Sequence, residues 1–71
     1  METGIKIKHY LEERGISQTF LSKKSSIPAP KLNLALNGNR KMTFAEYEAI
    51  CYALGVGVDT FLEPKPLGNI S

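Results

Sequence analysis

The chain is 71 residues long, with one cysteine, one histidine and a formal net charge of +2. That length fits one domain near the lower limit for a self-sufficient core, and a single Cys51 with a single His9 excludes both an intrachain disulfide and a zinc set. Stability must then come from close helix packing, aided by dimerisation, and a reducing cytoplasm is the expected setting because no signal peptide or long apolar span is visible.

In chain order, Thr3 to Arg14 reads as a first helix with Ile7, Leu11 and Tyr10 facing inward and Lys6, Lys8, Glu12 and Glu13 outward. Gly15 ends it. Ile16 bridges to Ser17, whose hydroxyl can accept from the free N–H groups of a second helix running through Leu21 to about Ser25. A tight turn falls at Ser25-Ser26-Ile27. Pro28 and Pro30 then mark a third helix, because proline is tolerated where backbone N–H groups have no intrahelical acceptor. Leu32, Ala35 and Leu36 recur at helical spacing until Asn37-Gly38 stops the helix after roughly two turns. Two short helices joined by so small a turn suit a helix-turn-helix unit, whose second helix is presented outward.

Asn39, Arg40, Lys41 and Met42 form the next loop, with two adjacent cations beside Gly38, where a backbone could approach a phosphate. Thr43-Phe44-Ala45-Glu46 matches the capping box. The apolar stripe Phe44, Tyr47, Ile50, Cys51 and Leu54 follows as a fourth helix, closed by Gly55. Val56-Gly57-Val58 is a connector, Asp59 a candidate cap for a brief fifth helix through Phe61 and Leu62, and Pro64 to Ser71 a tail expected to be mobile. No segment alternates convincingly enough for a strand.

The charge is lopsided. Residues 1–41 carry eight Lys and Arg against three Glu, whereas residues 42–71 carry one Lys against four acidic residues. A polyanion facing the basic half would gain by counterion release, although ordinary solvated lysines produce the same pattern. No catalytic constellation is present: the carboxylates are scattered on helix exteriors and there is no phosphate-cradling glycine loop, so an enzyme is not expected. His9 reads as a surface histidine and Cys51 as a small buried hydrophobe; no cofactor or metal is called for.

Gly15-Ile16-Ser17-Gln18, then Leu21, Ile27, Leu32, Asn37-Gly38, Thr43 and Ala53-Leu54-Gly55-Val56 before Phe61-Leu62 follow one another in a familiar order and spacing. In these residues the chain resembles the lambda-repressor-like, Xre/Cro-type helix-turn-helix family of phage and bacterial regulators. The resemblance covers about residues 5–62 and implies an all-α, five-helix DNA-binding domain over residues 1–63, followed by the tail at 64–71. It also implies that the third helix lies in the major groove of double-stranded DNA while the start of the second, Ser17 and Gln18, abuts the backbone. By position, Ala29, Pro30, Asn33 and Leu34, flanked by Pro28, would face the bases. Lys31, Asn37, Asn39, Arg40 and Lys41 would form the phosphate set.

The chain departs from the family in four places. Ser26 stands where many relatives have glycine, Pro28 where many have a serine or threonine cap, and Leu11 and Leu36 replace a buried arginine and glutamate. The last pair implies an apolar contact in place of an internal salt bridge. The reading face is poor in donors: Ala29 and Pro30 cannot make bidentate bonds to bases, Asn33 can, and Leu34 and Ala29 can touch thymine methyls. The function implied is a sequence-specific transcriptional regulator of repressor type, acting as a homodimer through the region of the fourth and fifth helices. An alternative is a protein-interaction or antitoxin-like module with weak DNA reading, whose protein partner docks at Phe20 and Leu34. Phe20 covers the core edge or anchors that partner, and Tyr52 lies at the core edge or in a dimer contact.

Overall fold

In the computed structural model, which describes residues 2–62, the chain forms four α-helices: α1 (Glu2–Arg14), α2 (Gln18–Ser25), α3 (Ala29–Leu36) and α4 (Phe44–Leu54). No strand occurs among the described residues. Ser17 caps α2, its Oγ accepting from the Phe20 N–H at 3.0 Å. At α4 both halves of the capping box are made: Thr43 Oγ1 accepts from the Glu46 N–H at 3.1 Å, and the Glu46 carboxylate accepts from the Thr43 N–H at 3.0 Å. Pro28 precedes α3 and no side chain caps that helix.

Three helix ends close by one hydrogen-bond pattern, in which the residue after a left-handed glycine donates back five residues along the chain. Ile16 donates to Leu11, Asn39 to Leu34 and Val56 to Cys51, at 2.9, 2.9 and 3.0 Å. α2 is the exception. It closes on Ser26 at φ 63°, the one non-glycine residue with positive φ among those described. The turn takes a left-handed residue whose side chain disfavours that conformation, and serine hydroxyls of α2 bond around it. Ser22 Oγ donates to the Ile27 carbonyl at 2.5 Å, and the buried Ser25 Oγ donates to the Leu21 carbonyl at 2.7 Å.

The core takes Ile7 and Leu11 from α1, Leu21 from α2, Leu32 and Leu36 from α3, and Tyr47, Ile50 and Cys51 from α4. Leu11 and Leu36 are both buried in it, in the apolar cluster where the resemblance implied they would meet. Gly4 makes a contact that the sequence reading missed. A Cβ built on Gly4 would stand 2.0 Å from the Ala35 carbonyl oxygen, so the bare backbone of α1 lies directly on the last turn of α3. That contact sets the pose of α3.

Two expectations fail. The fifth helix is absent: Thr60 N–H bonds to Gly57 O at 3.1 Å and Leu62 N–H to Asp59 O at 3.3 Å, which makes successive turns rather than a helix. Asp59 therefore caps nothing. So few residues cannot repay helix nucleation, and tertiary contacts fix the segment instead. The buried Phe61 ring packs edge-on against Tyr10 at 5.3 Å between centroids and against Tyr47 at 6.5 Å, and the Tyr47 hydroxyl donates to the Val58 carbonyl. Phe44 also leaves the inward stripe assigned to it, being 62% exposed at the first position of α4. The expected tail at Pro64 to Ser71 lies outside the described residues, as does Glu63, the last residue assigned to the domain.

Candidate nucleic-acid interface

The burial of Leu32, Ala35 and Leu36 decides which side of α3 faces water. Helical geometry then puts Ala29, Pro30, Lys31, Asn33 and Leu34 on the exposed surface, with Pro28 exposed just before them. Leu34 is 45% exposed in the middle of this face. Within α3 (Ala29–Leu36) the one side-chain carboxamide is that of Asn33, and it lies on the exposed face.

Asn33 is held from two sides. Its Nδ2 donates to Gln18 Oε1 at 3.2 Å, which ties the face of α3 to the first turn of α2. Its backbone carbonyl and its Oδ1 accept from Asn37 Nδ2 at 2.9 and 3.2 Å. Asn37 Oδ1 in turn accepts from Lys8 Nζ at 2.8 Å, across from α1. Gln18, Asn33 and Asn37 of the sequence-predicted set are thus brought into one polar chain, and Lys8, which the sequence reading only placed outward, joins them. Nothing in the periodicity of α1 could have picked Lys8 out. The bond exists because Gly4 lets α1 settle on the end of α3.

The other predicted residues are more dispersed. Ser17 is exposed but its oxygen serves the helix cap, while Asn39 and Lys41 are exposed in the loop after α3. Arg40 is engaged elsewhere. Its two terminal nitrogens fork onto the Glu46 carboxylate at 2.9 and 3.2 Å, so it braces the loop against the start of α4 and its charge is locally balanced. The Arg40 hydrogen bonds, followed by that from the Thr43 backbone, hold the Glu46 carboxyl below the ordinary carboxylate range. Lys41 and Lys31 are the members of the expected phosphate set left exposed with their charge unopposed among the described residues.

Away from this face, burial pushes the Cys51 thiol up, away from the thiolate that redox or metal chemistry requires. Among the described residues no group of His, Cys, Asp and Glu is placed to hold a metal ion, and no helix is long and apolar enough to cross a membrane. Phe20 is 48% exposed on α2, with Lys24 Nζ 5.8 Å from the centre of its ring.

An outward helix with an amide buttressed from the start of the preceding helix is an arrangement suited to docking on a duplex, with phosphate held at one end and base edges met at the other. No curated protein and no solved structure matches the chain. The model of the Cro/C1-type HTH DNA-binding domain, however, matches residues 6–66, which span all of α2, α3 and α4. The chain therefore belongs to the Cro/C1-type helix-turn-helix family of DNA-binding domains.

Proposed function

We propose that this DNA-binding domain is a transcriptional regulator of repressor type, cytoplasmic and non-enzymatic, that reads double-stranded DNA with α3 in the major groove. The observation that carries the reading is the bond between Gln18 on α2 and Asn33 on α3, which couples a group at the phosphate backbone to one at the base edges. Gln18 with Ser17 meets the backbone. Lys31, Asn37, Asn39 and Lys41 complete the phosphate contacts, and Arg40 takes part through donors beyond those it gives Glu46. Asn33 makes the directional base contact, while Ala29 and Leu34 meet thymine methyls beside Pro28 and Pro30. With so few donors, much of the discrimination comes from DNA shape.

A homodimer on a partly palindromic site would use α4 and the turns after it. Tyr52 is 89% exposed on α4, and Phe44, Val58 and Leu62 are also exposed. A second reading, a partner-binding or antitoxin-like module, is favoured by the exposure of Phe20 and Leu34. The test is binding of the purified chain to DNA upstream of its own gene against a scrambled duplex, at two salt concentrations. Tighter binding to its own DNA that weakens steeply with salt is the expected result. Equal binding to both duplexes, with salt-insensitive capture of a protein through Leu34, would favour the second reading.

A further inference from the structure

Lys8 lies on α1, outside every residue assigned to DNA above, yet its ammonium is the far end of the polar chain that reaches Asn33. The direction of that chain follows from the chemistry of its ends. An ammonium can only donate and a backbone carbonyl can only accept, whereas each carboxamide between them has one donor end and one acceptor end. Asn37 lies between Lys8 Nζ, at 2.8 Å, and the Asn33 carbonyl, at 2.9 Å, so it must turn oxygen to the first and nitrogen to the second. The same nitrogen meets Asn33 Oδ1 at 3.2 Å, which leaves Asn33 to turn its own nitrogen to Gln18 Oε1, also at 3.2 Å. Gln18 then keeps both N–H groups of Nε2 for outside contacts.

This polarity is the one DNA requires. Phosphate oxygens only accept, and Gln18 offers them donors. Asn33 retains one N–H and one oxygen lone pair, the combination that pairs with adenine N7 and N6. A chain running the other way would turn the Gln18 oxygen toward phosphate.

We infer that Lys8 is a positioning residue for sequence reading: from α1 it fixes the orientation of Asn37, and through it that of Asn33 and Gln18. The inference rests on the DNA reading proposed above. It differs from a plain charge effect, because a distant cation strengthens binding to all duplexes alike, whereas the orientation of Asn33 alters the ratio between cognate and unrelated DNA.

The test uses the full chain with Lys8→Met, Lys8→Arg and, as a matched loss of charge, Lys23→Met on the exposed side of α2. The probes are duplexes that the unaltered protein enriches from a randomised pool, and scrambled duplexes of the same composition, at one salt concentration. Lys8→Met is expected to lower the cognate-to-scrambled affinity ratio by about threefold to tenfold, the loss of an exposed charge-assisted hydrogen bond. Lys8→Arg, which also only donates, keeps the ratio within about twofold. Lys23→Met weakens binding to both probes and leaves the ratio unchanged. In NMR spectra of the free protein, the side-chain amide signals of Asn37 and Asn33 move in Lys8→Met and return in Lys8→Arg. If Lys8→Met behaves as Lys23→Met does, or if the amide signals stay in place, the positioning role is overturned. If the unaltered protein enriches no sequence, the DNA reading itself fails and the role of Lys8 falls with it, so the pool separates the two failures.

Discussion

At the scale of single residues, the positions that matter most are those where a side chain is absent or out of place. Gly4 is the clearest. A methyl group there would stand 2.0 Å from a backbone oxygen of α3, and neither helix backbone can yield without moving the other. Gly4→Ala is expected to cost about 1–3 kcal/mol, the usual range for overpacking, despite the better helix propensity of alanine. A thermal melt measures it, and an unchanged or higher melting temperature would show that α1 and α3 are not in the contact described. The sequence offered little sign of this role, because a glycine near a helix start is commonplace and its close approach depends on a helix some thirty positions away. Ser26 was easier. The resemblance left two outcomes for the turn, a strained backbone angle at Ser26 or a different turn, and φ 63° is the first of them. Phe44 misled for a simple reason: three- and four-residue spacing identifies a stripe but not where along the helix the core ends.

Among the elements, the start of α4 is the best anchored because three groups converge on one carboxylate. Glu46 accepts from the Thr43 N–H and from both terminal nitrogens of Arg40, and its folded-state pKa is depressed as a result. A depressed carboxylate contributes stability that is present above the unfolded-state pKa and lost as pH falls through the folded-state value. Glu46→Gln, which can still accept from Thr43 but carries no charge, should therefore be less stable than the unaltered chain near neutrality. The gap should narrow as the pH falls from about 6 to about 3. Melts of the two proteins across that range decide it, and a gap independent of pH would contradict the role given to Arg40. The four helices and their caps were legible because each rule acts locally: serine or threonine before a helix, proline in the first turn, glycine after the last. The expected fifth helix was not, since Phe61 is buried between Tyr10 and Tyr47 without a helix, and Leu62 stays exposed.

At the scale of the whole molecule, the charge asymmetry and the topology agree. The basic half carries the helix pair, while α4, which packs against α2, belongs to the acidic remainder of the described chain. Fold and family were readable because the repeated small signals keep a fixed order over most of the domain. The interface was readable only in outline: position along α3 gives the exposed face, but which cations stay available depends on tertiary pairing. Arg40 and Lys41 are neighbours in sequence with opposite fates, one forked onto Glu46 and the other exposed. Lys8 entered the polar chain only through the packing of α1 on α3. The central claim is that Asn33 reads a base while Lys41 meets phosphate, and one comparison tests it most directly. Binding of Asn33→Ala and Lys41→Ala to the chain's own upstream duplex and to a scrambled one is followed across a salt series. Asn33→Ala should lose about 1–3 kcal/mol on its own DNA alone, with the salt dependence unchanged. Lys41→Ala should weaken both duplexes alike and lower the logarithmic salt slope by about 1. An Asn33→Ala protein that still prefers its own DNA as strongly as the unaltered chain would contradict the account.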